Sequence, residues 1–309
     1  AWSPFLAYYW DSLPLKIRQK GMFEYYLQMG ADPLFRGTLQ LYTIHFSSCS
    51  VEEKSSSTEK RIIFTTPKGT LQERYIFTEQ TNSWFLIEHA VKCEKDLELL
   101  KLLHDDMRVE PQYQDYLEQE NKILDQGLII PAIGGYCTKT AIQSLIEHWV
   151  GTENLYTMFL DFPDLMEECL DSIKKVNLKS AEISAEGPAE GFIFWEDSST
   201  TNISPSYFEK YTLPEINQYA EIVHSKNKLL VHHACGHLKS LLPLINRENI
   251  DSLESISSPP TGNIDFCDVA AQLKPGICCI GGIEPTFFLN CTENELELHV
   301  REVIKKMEG

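Results

Sequence analysis

Short apolar runs alternate with amphipathic stretches from about residue 125 of the chain onward. The apolar runs that predict buried strands are 127–133, 191–195, 229–232, 250–256 and 277–280. The stretches between them carry apolar residues at helical spacing, and after the third run these are Leu238, Leu241, Leu242 and Ile245. Continuous apolar strands that alternate with such helices are typical of a parallel sheet covered by helices. We therefore predict an α/β fold.

The length of the chain favours one particular parallel fold, a (β/α)8 TIM barrel that forms a single domain over residues 1–309. Phe5–Tyr9 is a predicted first strand and Leu39–Phe46 contains a second, which brings the total to seven. We expect an eighth strand beyond Gly309 and interpret the chain as a fragment at both ends. No phosphate-binding glycine fingerprint follows the first strand, which argues against a dinucleotide-binding fold.

Residues 40–90 depart from this pattern. Apolar and polar residues alternate through Arg61–Thr65 and again through Arg74–Phe77, and the turn signal Pro67-Lys68-Gly69 separates the two segments. The alternation predicts an antiparallel β excursion from the barrel.

Composition and charge limit the partners of this protein. The chain has 43% hydrophobic residues, which is enough for a packed core. Its formal net charge is −18, and because such an acidic surface repels phosphate groups, nucleic acid and anionic membranes are poor partners. No apolar stretch approaches the roughly 20 residues that a membrane helix needs. The nine cysteines have irregular spacing. We interpret them as mostly reduced thiols of a cytoplasmic protein.

The best indication of chemistry is the pair His233 and Cys235, which follows the predicted strand at 229–232. Imidazole and thiolate are both good zinc ligands, and barrel enzymes place their active sites at the carboxyl ends of the strands. The alternative is a loop histidine beside a buried cysteine that acts as a small apolar residue. His232 and His233 should face opposite ways, so only one of them can join Cys235.

Other polar residues and glycines follow neighbouring predicted strands. Glu196 is a candidate third metal ligand, or else a strand-end residue in a salt bridge, and Glu196 and Asp197 are candidate catalytic acids or bases. The glycine pairs Gly134-Gly135 and Gly281-Gly282 could form turns or let a planar ligand approach the backbone. For Cys278 and Cys279, we expect core packing. The candidate substrate-binding residues are Tyr136, Trp195, Glu254, Gly281 and Gly282.

The chain resembles the uroporphyrinogen decarboxylase-like superfamily, and within it the corrinoid-dependent methyltransferase branch. The segments that carry the resemblance are Thr66–Arg74, Trp195-Glu196-Asp197, His233-Ala234-Cys235-Gly236, Ser258–Gly262 and Gly281–Pro285.

The resemblance implies a TIM barrel in which His233 and Cys235 bind zinc, with Glu196 as a further ligand in some members. Another cysteine ligand would lie beyond Gly309. The implied activity is zinc-assisted methyl transfer between a small methyl donor or a thiol acceptor and the corrinoid (cobalamin) of a partner protein.

Two alternatives remain open at this point. One is a metal-free carboxy-lyase of the uroporphyrinogen decarboxylase type, and the other is a non-catalytic corrinoid or metal carrier. True decarboxylases of the family have an arginine-rich segment near the first strand, whereas the stretch Ser3–Trp10 contains no arginine. This difference favours a small or aromatic substrate over an acidic macrocycle.

Overall fold

The computed structural model describes Trp10 and residues 13–307. Its central element is a sheet of six parallel strands in the order β1-β8-β9-β10-β11-β12. These strands are β1 (Leu34–Gln40), β8 (Leu128–Ala132), β9 (Gly191–Glu196), β10 (Leu229–Ala234), β11 (Ser252–Ile256) and β12 (Cys278–Gly281). The α/β class and the five later strands are confirmed. The predicted strand Phe5–Tyr9 lies outside the described residues, and closure of the barrel stays a prediction.

The antiparallel excursion is confirmed as a four-stranded sheet in the order β3-β4-β5-β6. The turn at Pro67-Lys68 joins its second and third strands, as predicted. Its strands are β3 (Ser50–Ser55), β4 (Glu59–Thr66), β5 (Gly69–Thr78) and β6 (Ser83–Glu88). A separate antiparallel ribbon pairs β2 (Tyr42–Phe46) with β7 (Met107–Pro111). The predicted segment Leu39–Phe46 is therefore divided between two sheets.

Helices separate consecutive strands of the parallel sheet along the chain, and the helix Glu94–Asp106 packs against the four-stranded antiparallel sheet. The helices of the described residues are α1 (Leu15–Arg18), α2 (Gly21–Gln28), α3 (Glu94–Asp106), α4 (Gln114–Ile123), α5 (Ala141–Ser144), α6 (Thr152–Asp161), α7 (Pro163–Glu186), α8 (Pro205–Tyr207), α9 (Leu213–His224), α10 (Leu242–Ile245), α11 (Phe266–Gln272), α12 (Phe287–Asn290) and α13 (Glu293–Met307). π-helical turns continue α5 over Leu145–Trp149 and α8 over Phe208–Thr212.

The helix predicted after β10 is shorter than its apolar spacing indicates. Only Leu242–Ile245 is helical, and the chain from Cys235 to Leu241 forms loop and turns. Pro243 explains the difference. In a helix that began near Leu238, this proline would lie in the interior, where it donates no hydrogen bond and clashes with the preceding turn. In the structure it lies in the first turn of α10, where proline is tolerated.

Alternate residues of the parallel strands pack on opposite faces of the sheet. The face toward the helices joins the main core, which includes Phe192, Phe194 and Leu230. The other face, called the inner face below, carries a small apolar cluster of its own. The members of this cluster are Leu34, Ile130, Ala132, Ile193, Trp195 and Val231.

Core packing was expected for Cys278 and Cys279, and this was wrong for the first of them. Cys278 is exposed and Cys279 is half-buried, because β12 is the last strand in the described order of the sheet. The nine cysteines all lie among the described residues, and all are free thiols.

Candidate active site on the inner face of the sheet

Four side chains from four strands meet above the inner apolar cluster. They are Arg36 of β1, Trp195 of β9, His233 of β10 and Glu254 of β11, and we call them the inner quartet. The ladder explains part of this arrangement, since His233 lies beside Trp195 on one side and beside Glu254 on the other. Arg36 reaches Glu254 from β1, across the curve of the sheet.

His233 is held by two members of the quartet. Its Nδ1 lies 2.5 Å from Glu254 Oε2, and its ring meets that of Trp195 edge-on at 4.6 Å between centroids. Burial, together with the nearby charge of Arg36, lowers the pKa of His233 to about 3. This change favours the neutral imidazole, which is the form that binds metals or accepts a proton.

His232 faces the other way, as strand alternation predicts. It is fully buried on the helix side, where its ring stacks on Phe194 at 4.8 Å. Its Nδ1 lies 2.8 Å from Glu248 Oε2, and its Nε2 lies 3.0 Å from Ser198 Oγ. This Ser–His–Glu chain has the connectivity of a hydrolase triad, but the serine is only 1% exposed. We interpret these Ser–His–Glu hydrogen bonds as a structural link between β10 and its neighbouring loops.

Cys235 lies next to Asp197 at the mouth of the inner face. Its thiol donates to the backbone oxygen of Glu196 at 3.7 Å and points toward Asp197 Oδ1 at 3.9 Å. Asn202 donates to the other oxygen of Asp197. Burial raises the pKa of Cys235 to about 12, and burial together with the charge of Glu147 raises that of Asp197 to about 6.

The Glu196 side chain is directed away from the face of His233 and Cys235. It is 1% exposed, and its Oε1 accepts a hydrogen bond of 2.8 Å from the backbone nitrogen of Thr140, the N-cap of α5. Burial raises the pKa of this carboxyl to about 8. Because strand alternation places Trp195 and Asp197 on one side and Glu196 on the other, the acid that accompanies Cys235 is Asp197.

A lysine that the sequence analysis did not select also lies at this edge of the sheet. Lys139 Nζ donates to the backbone oxygen of Trp195 at 3.3 Å and pairs with Glu147 Oε2 at 2.8 Å. Glu147 belongs to the π-helical turn after α5. π-helical turns are common at functional sites.

Tyr136 lies between the excursion sheet and the helices. Its ring is 6.0 Å from Phe64 of β4 and 5.8 Å from Trp149, measured between centroids. These contacts are part of the main core. Its predicted role in substrate binding stays a prediction.

The glycines at strand ends are in close contact with the chain itself. A Cβ at Gly281 would lie 2.4 Å from the backbone oxygen of Ile256, and one at Gly135 would lie 2.2 Å from Asn177 Oδ1. At Gly282, the nearest atom would be Val303 Cγ1 at 3.3 Å. Internal packing therefore accounts for glycine at 135 and 281, and whether Gly281 and Gly282 also contact a ligand stays a prediction.

Two segments that carried the family resemblance meet at the rim of the sheet. Thr261 Oγ1 donates to Glu284 Oε1, and the other oxygen of Glu284 accepts from the backbone nitrogen of Phe287 at 3.1 Å. These bonds lower the pKa of Glu284 despite the opposing effect of burial. The contact ties the segment 258–262 to the segment 281–285.

The donor chemistry at this site fits zinc in part. His233 lies in β10 and Cys235 directly follows that strand, so strand alternation would direct the imidazole and the thiol, both good zinc ligands, to the same side. Among residues 13–307, no three His, Cys, Asp or Glu side chains gather closely enough to hold a metal ion. A complete zinc site built on this pair needs at least one further donor.

Sequence reasoning missed Arg36 because it did not recognise the strand that carries it. The signal was present in Pro33-Leu34-Phe35-Arg36-Gly37, a short apolar run that ends in an arginine and a glycine. A Cβ at Gly37 would lie 2.1 Å from Trp195 Cζ2, so this glycine makes room for the indole of the quartet.

Comparison with solved structures supports the fold. A methyltransferase from Methanosarcina mazei matches with a TM-score of 0.52 and 13% identity, over 72% of this chain and 64% of that chain. The chain thus spans less than two thirds of that methyltransferase. A β-glucuronidase from Ruminococcus gnavus matches with a TM-score of only 0.28 and 8% identity, over 78% of this chain and 54% of the other. No curated protein matches the chain in sequence.

None of the helices in the described part of the chain is long and apolar enough to cross a membrane.

The decisive comparison is with family models, where the match covers more than half of the chain. Because the model of Uroporphyrinogen decarboxylase (URO-D) matches residues 87–309, the chain belongs to the URO-D family.

Proposed function

We propose that this protein is a corrinoid-dependent methyltransferase of the URO-D family. It moves a methyl group between the corrinoid of a partner protein and a small methyl donor or thiol acceptor, and it works in the cytoplasm. The observation that supports the proposal is the contact between Asp197 Oδ1 and the thiol of Cys235, which lies two residues beyond His233 at the end of β10. The likeness in fold to a methyltransferase agrees with it.

His233 and Cys235 would hold the zinc ion, through the imidazole Nε2 and the thiolate. Zinc bound there would act as a Lewis acid toward a thiol or a methyl ether. When the methyl group moves from the corrinoid to a thiol, a sulfur–carbon bond would form while the cobalt–carbon bond breaks. The electron pair of the broken bond would stay on cobalt. Asp197 Oδ1, which lies beside the Cys235 thiol, would accept the proton of the acceptor thiol.

The remaining residues of the site would shape the substrate cavity. Trp195 forms an aromatic wall beside His233, and Glu254 stands on its other side. Tyr136, Gly281 and Gly282 are proposed to contact the substrate or the corrinoid from neighbouring loops.

The charges near the site favour methyl transfer over decarboxylation of an acidic macrocycle. A multiply anionic substrate requires cations that can bind its carboxylates. Arg36 is paired with Glu254, and Lys139 is paired with Glu147. Both cations at the described site are thus already engaged by carboxylates of the protein.

Zinc analysis of the full-length, metal-replete protein tests the proposal. We expect close to one equivalent of zinc in the wild type and a large loss in Cys235→Ser. Cys278→Ser, at the exposed thiol of β12, is the matched control and should keep the metal. A wild-type protein without bound zinc, active as a carboxy-lyase in the presence of a chelator, would identify the metal-free alternative. Corrinoid binding without methyl turnover would identify the carrier.

A further inference from the structure

The carboxylate of Glu254 contacts both a histidine and an arginine. Its Oε2 lies 2.5 Å from His233 Nδ1, and its Oε1 is bound by the guanidinium of Arg36. Glu254 is 3% exposed and Arg36 is 7% exposed, so the carboxylate and the guanidinium meet out of water, while the His233 side chain is 15% exposed. An ionised carboxylate can only accept hydrogen bonds. The hydrogen in its contact with His233 must therefore be on Nδ1.

We propose that Glu254 is the positioning residue for His233. It fixes the imidazole in the tautomer that carries its hydrogen on Nδ1, which leaves the Nε2 lone pair free to bind a metal ion. Arg36 holds Glu254 in place as a carboxylate. The metal-binding part of this inference rests on the function proposed above, whereas the tautomer does not.

The geometry restrains the ring from several directions. His233 and Glu254 are neighbours in the β10–β11 ladder, so the backbone itself places the carboxylate beside the ring. Trp195 closes the other side at 4.6 Å, and the Arg36 guanidinium lies 5.6 Å from the centroid of the same indole. A second partner that orients a ligating histidine typically contributes about 10- to 100-fold to metal affinity.

The adjacent residue provides a matched control within the same strand. His232 pairs with Glu248 in the same way, through Nδ1 at 2.8 Å, but on the helix side of the sheet. Its Nε2 already contacts Ser198 Oγ. Glu248→Gln therefore alters a buried His–Glu pair on the side of the sheet opposite His233, away from the proposed metal site.

The first experiment measures zinc affinity by competition with a chromogenic chelator. Zinc affinity should fall about 10- to 100-fold in Glu254→Gln and in the double variant Arg36→Met/Glu254→Leu. Glu254→Gln leaves the buried charge of Arg36 without its partner, and this single variant could fail to fold for that reason. The double variant removes both charges together and should therefore fold, so it tests the same loss of the Glu254 carboxylate. Glu248→Gln should keep the wild-type affinity even if the protein is less stable.

The second experiment observes the tautomer directly, by nitrogen NMR of histidine-labelled protein before zinc is added. We expect His233 to carry its hydrogen on Nδ1 in the wild type. A hydrogen on Nε2, or wild-type zinc affinity in either folded Glu254 variant, overturns the inference. If the wild type binds no zinc but shows the Nδ1 tautomer, the positioning of His233 stands and the proposed metal function fails.

Discussion

Arg36 and Glu254 form an ion pair across the interior of the curved sheet, although three strands separate β1 from β11. Both side chains are buried. Burial lowers the pKa of Arg36 to about 10, so the guanidinium stays charged at neutral pH. The pair joins the first described strand of the sheet to the fifth.

Removing only the arginine should be costly, because it leaves a buried carboxylate without its cation. For Arg36→Met we expect the free energy of unfolding to fall by about 3 kcal/mol or more. The double variant Arg36→Met/Glu254→Leu should recover most of this loss, since it replaces both charges with apolar groups. Urea unfolding of the two variants checks the prediction, and a single variant as stable as the wild type would contradict it.

Gly37 should be sensitive to a single methyl group. Its φ is +61°, and a Cβ would overlap the indole of Trp195. Gly30→Ala is a matched control, because Gly30 has a φ of +68° and no heavy atom within 4 Å of a Cβ. We expect Gly30→Ala to cost about 1–2 kcal/mol from backbone strain, and Gly37→Ala to cost about 1–3 kcal/mol more. Equal losses in urea unfolding would show that Trp195 moves aside freely.

The two neighbouring acids at the end of β9 should respond differently to substitution. Asp197 faces the Cys235 thiol, so Asp197→Asn should lower the rate of methyl transfer with little change in unfolding midpoint. Glu196 holds the backbone nitrogen of Thr140, so Glu196→Ala should cost about 1–3 kcal/mol in unfolding free energy through an unsatisfied buried donor. If Asp197→Asn kept the wild-type rate, the assignment of the proton acceptor would be wrong.

The free energy of unfolding should depend on pH through Glu73, which lies in strand β5 of the four-stranded antiparallel sheet. Burial raises the pKa of this carboxyl to about 7 from the 4.5 of an unperturbed glutamate, although a hydrogen bond from Tyr75 opposes the change. Between these two values the folded protein keeps a proton that the unfolded chain releases, so stability falls as pH rises through this window and levels off above it.

Glu73→Gln should remove this pH dependence, which amounts to about 3 kcal/mol at most. The difference in unfolding free energy between variant and wild type should therefore grow in favour of the variant as pH rises across the window. Glu52→Gln, on the exposed strand β3, serves as the control and should follow the wild type at every pH. A constant difference between Glu73→Gln and the wild type would show that folding does not change the pKa of this carboxyl.

Local patterns in the sequence were enough for much of the fold. The apolar runs identified five of the six parallel strands, and strand alternation separated His232 from His233 correctly. The helix after β10 was overestimated because the apolar spacing was counted without Pro243. These outcomes depend only on residues close together in the chain.

The arrangement of the site depends on contacts that local patterns do not contain. Arg36 pairs with Glu254, which lies on another strand far along the chain. The apolar run around Arg36 contains no sign of this partner. Strand alternation separates Glu196 from Asp197, but it does not reveal that the Thr140 nitrogen binds Glu196 or that Asp197 reaches the Cys235 thiol. The partners of the two acids therefore needed the structure.

Methyl turnover by the zinc-loaded protein is the most direct test of the proposed function. It is followed in the visible spectrum with methylcobalamin and a panel of thiols, and in reverse with reduced cobalamin and methyl ethers. We predict turnover in one of the two directions by the wild type and by Cys278→Ser, and its loss in Cys235→Ser. No turnover by the wild type in either direction, or an undiminished rate in Cys235→Ser, would contradict the proposal.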